Sequence, residues 1–232
     1  MLYTEWEPLY FKILADFSFS KEQDIQSATL LNTLLSTHPH YKSLSTIGSR
    51  LHHNPVIIIG AASTVSDQII SHKHLISSCI TICADGATSA LLKHQIIPTI
   101  IVTDLDGNIP DQITANTKGS ILIVHAHGDN KEGIKTIVPT IQGPISGTTQ
   151  TNPEPFSHVD NVGGFTDGDR AVFLAENFQA TPIYLLGFDF QGPFGEYSNL
   201  THKNLTVKRK KLHWAEQLIN QLNRQGNIHY LK

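Results

Sequence analysis

Aspartates follow short apolar runs of the sequence, at points where a predicted strand gives way to a turn. Asp104 and Asp106 form an Asp-Leu-Asp-Gly motif directly after the run 99–103. Because they are two residues apart, both side chains point the same way in an extended segment. Neighbouring carboxylates raise each other's pKa unless a cation lies between them, and Mg²⁺ prefers such hard oxygen ligands. The motif therefore predicts a magnesium site, although an Asx-rich turn without metal would also explain it.

Two further strand ends carry similar turns. Asp85-Gly86 follows the run 80–83, and Asp129 closes the segment His125-Ala126-His127-Gly128-Asp129. Asp129 is expected to be a functional carboxylate. His127 is predicted to contact phosphate or a base, although capping of the next helix would explain it equally well.

A fourth turn lies in the segment Thr166-Asp167-Gly168-Asp169-Arg170. Thr166 is a candidate N-cap, and acids in a first helical turn are favoured by the helix dipole, so a structural explanation is available. Glycine is nevertheless a poor helix former. Its presence in a first turn suggests a backbone that a ligand must approach.

Phosphate could be bound at two other places. Gly60-Ala61-Ala62-Ser63 precedes a predicted helix, and small residues there allow a phosphate to approach the unpaired N–H groups of the helix start. The run Lys208-Arg209-Lys210-Lys211 begins the last predicted helix, where cations oppose the helix dipole. A bound anion such as a triphosphate would explain that placement, and a solvated charged face is the alternative.

The elements that position these residues alternate along the chain. Short β-branched runs near 56–59, 80–83, 99–103, 120–125 and 183–186 are separated by helical patterns. This alternation predicts an α/β fold with a mostly parallel, doubly wound sheet, whose strand ends bring the aspartates to one edge. Residues 1–54 are predicted to be an N-terminal helical extension and residues 55–232 the catalytic domain. The stretch 143–164 is predicted to be loop-rich, as an active-site wall or an antiparallel excursion, and the last helix to cover 207–224.

Composition excludes several classes of protein. A formal net charge of −3 provides no basic field for nucleic acid. No apolar run approaches the roughly 20 residues needed to span a bilayer, and the N-terminus lacks the features of a signal peptide. Cys79 and Cys83 are too far apart along a predicted strand to bridge. We therefore expect a reduced, cytoplasmic protein without a membrane or nucleic-acid partner.

Taken in order and with their spacing, these motifs resemble the archaeal 6-hydroxymethyl-7,8-dihydropterin diphosphokinases, which are distantly similar to thiamine diphosphokinases. The resemblance extends over nearly the whole chain and includes Gly147-Thr148-Thr149-Gln150 and Leu186-Gly187-Phe188-Asp189-Phe190. It implies transfer of the β,γ-diphosphate of ATP to a reduced pterin, with Mg²⁺ as cofactor and AMP as product. One departure is the turn Gly60-Ala61-Ala62-Ser63, where family members tend to carry Gly-Pro-Ser.

The resemblance leads to a set of expected roles. The expected catalytic residues are Asp104, Asp106, Asp169 and Lys208. The expected metal ligands are Asp104, Asp106, Asp129 and Asp167. The nucleotide is expected to contact Gly60, Ser63, Asp85, Gly86, Arg170 and Lys211. The pterin is expected to contact His127, Gly147, Thr148, Thr149 and Gln150.

Three other functions share this logic. A thiamine diphosphokinase would use the same metal chemistry, and a glycosyltransferase could hold a nucleotide-sugar through Asp-x-Asp and a metal. A non-enzymatic nucleotide sensor would bind ATP and Mg²⁺ without releasing AMP. The acceptor, the general base, the strand order and a possible homo-oligomer are not determined by the sequence.

Overall fold

The structure is a computed structural model that describes residues 2–198, 204–223 and 226–232. Its centre is an eight-stranded sheet in the order β6-β5-β4-β3-β2-β1-β7-β8, and every neighbouring pair is parallel. The predicted α/β fold with a mostly parallel sheet is therefore confirmed. The strands are β1 (Val56–Ile59), β2 (Ile80–Ala84), β3 (Ile100–Thr103), β4 (Ile121–Ala126), β5 (Ile145–Thr149), β6 (Val159–Asp160), β7 (Ile183–Leu186) and β8 (Ile228–Tyr230).

Helices cover both faces of the sheet. They are α1 (Tyr3–Phe17), α2 (Lys21–Ser36), α3 (Leu44–Gly48), α4 (Val65–Ser71), α5 (Lys73–Ser78), α6 (Ala87–Lys93), α7 (Ile109–Thr117), α8 (Lys131–Ile137), α9 (Asp167–Asn177) and α10 (Leu205–Leu222). Strand side chains alternate between two cores. Val56 and Ile58 pack with α1, α3, α9 and α10, whereas Ile57 and Ile59 pack on the other face with α2 and α4 to α8. Residue 224, the predicted end of the last helix, lies outside the described residues.

The N-terminal helices pack on both faces of this sheet. Trp6 and Tyr10 of α1 are buried in the core that contains α9 and α10. Leu31 and Leu35 of α2 are buried in the opposite core, where α2 contacts β4 and β5. Ser20 caps α2 by accepting a hydrogen bond from the Gln23 backbone N–H at 3.3 Å. The extension therefore contributes to both helical layers.

The stretch predicted to be loop-rich contains two strands, and both are parallel to their neighbours. The prediction of an antiparallel excursion was therefore wrong. The sequence Ile145-Ser146-Gly147-Thr148-Thr149 lacks the apolar run of a central strand. It is nevertheless buried throughout, because α2 covers it and a Cβ on Gly147 would lie 2.6 Å from Leu35 Cδ1.

The strand order changes direction between β1 and β7. The chain runs outward from β1 to β6 and then returns to place β7 beside β1. In open parallel sheets, ligands bind beyond the carboxyl ends of the strands at such a switch. No helix among the described residues is long and apolar enough to cross a membrane.

Candidate active site

A cavity of about 480 Å³ lies at the carboxyl ends of the central strands. Its volume falls within the roughly 300–1,000 Å³ of small-molecule sites. The turns after β1, β2, β3, β4 and β7 line it through Gly60, Asp85, Asp104, His127 and Gly187. The start of α9 and the first half of α10 complete the wall.

Three aspartates face one another in this cavity. One carboxylate oxygen from each of Asp85, Asp104 and Asp167 lies within 4.8 Å of the other two. Burial raises the pKa of Asp85 well above its usual range, and repulsion from Asp167, Asp104 and Asp106 raises it further. Burial likewise raises the pKa of Asp167, with repulsion from Asp104 added to it. Such a set of hard oxygen donors fits a divalent cation such as Mg²⁺, which would remove the repulsion.

The three carboxylates are positioned by different elements. Asp85 follows β2 and accepts a hydrogen bond from the Gln112 side chain of α7. Asp104 follows β3, and its Oδ1 accepts from the Asp106 backbone N–H at 3.2 Å in an Asx turn. Asp167 opens α9 and lies 3.4 Å from the guanidinium of Arg170. The Asx turn and the carboxylate cluster therefore occur together at Asp104.

His127 lies between two carboxylates. Its Nε2 is 3.3 Å from Asp104 Oδ2, and its Nδ1 pairs with Asp129 Oδ1. Burial lowers the pKa of His127, but the hydrogen bonds to Asp104 and Asp129 outweigh burial and raise the pKa to about 9. The same pairing lowers the pKa of Asp129. His127 thus carries a positive charge at neutral pH and partly balances the acidic cluster.

A buried carboxylate near the N-terminus holds the turn that carries His127. Asp24 Oδ1 accepts from the Gly128 backbone N–H at 2.7 Å. Asp24 Oδ2 accepts from the Tyr10 hydroxyl at 2.7 Å and from the Gln150 side-chain amide at 2.9 Å. Asp24 is only 2% exposed, and these three donors satisfy its buried carboxyl oxygens. Helices α1 and α2 therefore position part of the cavity wall.

The start of α9 is fixed by its own side chains. Asp169 accepts from the backbone N–H groups of Phe165 at 2.6 Å and Thr166 at 2.7 Å, and Thr166 completes a capping box with it. Arg170 is 3% exposed and donates to the carbonyls of Gly164 at 3.3 Å and Phe165 at 3.0 Å. Asp169 is therefore used as a cap, and Arg170 presents a fixed cation to the cavity.

Glycines allow close packing of the turns at the strand switch. A Cβ on Gly60 would lie 2.6 Å from the Gly187 carbonyl oxygen. Gly187 itself has a φ of 72°, which favours glycine. Gly86 lies directly against the Tyr197 carbonyl oxygen, so the segment 189–198 folds over the turns after β1 and β2. These small residues leave backbone groups close to the cavity.

Comparison with known proteins decides the family. Residues 29–193 match the family model described as 6-hydroxymethylpterin diphosphokinase MptE-like. The chain belongs to this family.

Archaeal relatives match it over almost their whole length. The 6-hydroxymethyl-7,8-dihydropterin pyrophosphokinase of Methanocaldococcus jannaschii is 40% identical, over 98% of each chain. The proteins of the same name from Methanothermobacter thermautotrophicus and Pyrococcus furiosus are each 39% identical, over 96% and 97% of this chain and 96% of theirs. The MptE-like chain is therefore an enzyme of the pyrophosphokinase type.

One solved structure shows a weak likeness. The MAf glycosyltransferase from Magnetospirillum magneticum AMB-1 aligns over 78% of this chain and 34% of its own, with 13% identity and a TM-score of 0.44. That similarity is too low to bear on the function of the pyrophosphokinase.

The cavity collects most of the residues that the sequence singles out. Those that line it are Gly60, Asp85, Gly86, Asp104, Asp106, His127, Asp129, Gln150, Asp167, Asp169, Arg170, Lys208 and Lys211. Ser63 is exposed outside the cavity, and Gly147, Thr148 and Thr149 are buried within β5 and do not line it. The predicted ligand contacts of Ser63, Gly147, Thr148 and Thr149 stay predictions, and the positions of these residues outside the cavity lining do not favour them. Asp85 adjoins Asp104 and Asp167, whereas Asp129 pairs with His127.

Sequence reasoning missed several residues of the pyrophosphokinase site. The sequence alone assigns no site role to Asp24 and predicts no helix at α7, which carries Gln112. Phe19 and Phe165 also line the cavity. The available signal for Asp24 was an acid on the apolar face of α2, a position that requires a buried partner.

Proposed function

We propose that this enzyme transfers diphosphate from ATP to the hydroxymethyl group of 6-hydroxymethyl-7,8-dihydropterin in a Mg²⁺-dependent reaction that releases AMP. The product would serve the synthesis of tetrahydromethanopterin or a folate-type pterin. The observation that carries the proposal is the group of three carboxylate oxygens within 4.8 Å, since it fits a cation that binds phosphates. The acceptor is inferred from the names of the relatives.

The proposed reaction is a displacement at the β-phosphorus of ATP. The hydroxyl oxygen of the pterin forms a bond to the β-phosphorus of ATP, and the bond from that phosphorus to the bridging oxygen of AMP breaks. The hydroxyl proton must also leave. Asp106 is exposed, lines the cavity and lies beside Asp85, so we assign it as the proton acceptor.

The other charged residues would hold the reactants. Asp85, Asp104 and Asp167 would bind Mg²⁺, which neutralises charge on the phosphate oxygens when bound. Arg170, Lys208 and Lys211 line the same cavity and would stabilise the charge on the transferred diphosphate. Because the carbonyls of Gly164 and Phe165 hold Arg170, its charge is oriented before substrate arrives.

The test is to incubate the purified protein with ATP, Mg²⁺ and 6-hydroxymethyl-7,8-dihydropterin and to separate the nucleotides by chromatography. AMP that forms only with the pterin supports the proposal. ADP, or AMP that forms with thiamine instead, would overturn it, and nucleotide binding without turnover would indicate a sensor. Asp104→Asn should lose AMP formation, whereas the matched control Asp67→Asn, on the exposed face of α4 outside the cavity, should retain it.

A further inference from the structure

Two groups of aromatic side chains line the cavity, and they touch different loops. Phe188 and Phe194 belong to one group: Phe188 lies 3.3 Å from a Cβ built on Gly60, and Phe194 bridges to Ala62. Phe19 and Phe165 belong to the other. The first group therefore adjoins the small-residue turn after β1.

The second group, Phe19 and Phe165, packs with Phe17, and we call these three rings the Phe19 platform. Phe17 stacks on Phe19 with centroids 5.3 Å apart, and Phe165 packs against Phe17 at 5.1 Å. Phe17 and Phe165 anchor the platform in the core, yet Phe19 stays 37% exposed. A large apolar ring held by neighbours and left open to a cavity is suited to stacking with a flat ligand.

A cation lies over two rings of this platform. The Lys211 ammonium is 5.7 Å from the Phe19 centroid and 5.6 Å from the Phe165 centroid. Lys211 lines the same cavity as Asp129, which pairs with His127. Lys211 thus offers a cation at the aromatic surface, inside the cavity that also contains the acidic cluster, to a phosphate attached to a stacked ring.

From this arrangement we infer that the Phe19 platform binds the pterin ring, with Lys211 beside its hydroxymethyl group. The inference rests on the proposed function. The triphosphate must extend from the carboxylates towards small residues that allow close approach, and these are Gly60, Ala61 and Gly86 at the other aromatic group. The Phe19 platform is then the aromatic surface left for the acceptor, and the loop between α1 and α2 supplies part of it.

The experiment compares substitutions at the platform with a matched control. Phe19→Ala removes the exposed ring, and Phe19→Tyr restores an aromatic face. Phe11→Ala is the matched control, because Phe11 is also a partly exposed aromatic residue, 45% exposed on α1, with the Lys21 ammonium 5.0 Å from its ring centroid. Unlike Phe19, Phe11 does not line the cavity. The rate of AMP formation is measured against pterin at saturating ATP, and against ATP at saturating pterin.

Phe19→Ala should raise the KM for the pterin roughly ten-fold or more, as expected for loss of one stacking ring, and leave the KM for ATP unchanged. Phe19→Tyr should recover most of the pterin affinity that Phe19→Ala loses, and Phe11→Ala should behave as the parent enzyme. A rise in the KM for ATP alone would place adenine on the platform and overturn the inference, as would two unchanged KM values.

If the proposed function is wrong, the result differs from a failure of the platform inference. In that case the parent enzyme itself forms no pterin-dependent AMP. Calorimetric titration with 6-hydroxymethyl-7,8-dihydropterin then decides the inference directly. Binding that is lost in Phe19→Ala and kept in Phe11→Ala supports the platform, whereas equal binding by both variants, or no binding by the parent enzyme, overturns it.

Discussion

Asp24 and Asp85 are both buried carboxylates at the strand-end edge of the sheet, and they have opposite kinds of neighbours. Asp24 is 2% exposed and accepts three hydrogen bonds, from a hydroxyl, a side-chain amide and a backbone N–H. Asp85 is 7% exposed and accepts one from Gln112 while it faces other carboxylates. Donors satisfy the first charge within the protein, whereas the second needs protonation or a cation.

The comparison separates two uses of a buried acid. A carboxylate that is surrounded by donors joins elements of the fold, as Asp24 joins α1, α2 and the turns after β4 and β5. A group of carboxylates that repel one another favours cation binding, because the bound ion relieves the repulsion. We therefore expect substitutions at Asp24 to change stability most and substitutions in the acidic cluster to change activity most.

The largest effect should come from Asp104→Ala. Loss of this carboxylate should lower kcat roughly 1,000-fold or more, because it removes a proposed metal ligand. The free energy of unfolding should change by less than about 1 kcal/mol, since repulsion among the aspartates is relieved as contacts are lost. Steady-state AMP formation and urea denaturation measure the two quantities. Normal turnover in this variant would break the assignment of the cluster.

Asp24→Ala should have the next largest effect, and on stability. It leaves the Tyr10 hydroxyl, the Gln150 amide and the Gly128 N–H without their acceptor, and the free energy of unfolding should fall by roughly 3 kcal/mol or more. Urea denaturation measures the change. An unfolding midpoint equal to that of the parent protein would mean that Asp24 is not needed to hold these elements together.

A smaller change isolates one hydrogen bond of the same network. Tyr10→Phe removes only the hydroxyl that donates to Asp24 at 2.7 Å, and it should lower the free energy of unfolding by about 1.5 kcal/mol. Tyr3→Phe is the matched control, because the Tyr3 hydroxyl bonds Glu7 at 3.2 Å in a half-buried position. Equal losses in the two variants would argue against any special contribution from the buried network.

The smallest expected effect is a dependence of stability on pH and Mg²⁺. Since the folded-state pKa values of Asp85 and Asp167 are raised, the folded protein binds more protons than the unfolded chain above the usual aspartate pKa of 3.8. Without metal, the free energy of unfolding should therefore fall as pH rises through and above that value. Mg²⁺ should offset this loss, so its effect on Tm should be larger at pH 8 than at pH 5.

Differential scanning calorimetry with and without Mg²⁺ measures this difference, with about 2–4 °C expected for each kcal/mol. Asp104→Ala should reduce the Mg²⁺-induced shift, and Tyr10→Phe should keep it. A shift of the same size at both pH values in the parent protein would show that Mg²⁺ does not relieve the repulsion within the cluster.

The local elements of this fold follow from the sequence. Runs such as 56–59 and 183–186 are continuous apolar segments between turn residues, so periodicity identifies them as buried strands. The start of α9 at Thr166 is also predictable from the sequence, because its capping partner Asp169 is only three residues away. Strand β5 was not predicted, because its residues are small or polar and do not form an apolar run. They are buried by the packing of α2, which the local sequence does not show.

By itself, the sequence determined the α/β class, the strand-end turns rich in glycine and aspartate, and the family resemblance. Only the tertiary structure decided which of those turns meet. Asp85 and Asp167 are brought together although they lie far apart in the chain, because β2 adjoins β3 and α9 begins over their ends. Asp129 follows β4 and is drawn to His127 instead. Periodicity reports on residues a few positions apart, whereas a site depends on which distant strand ends become neighbours.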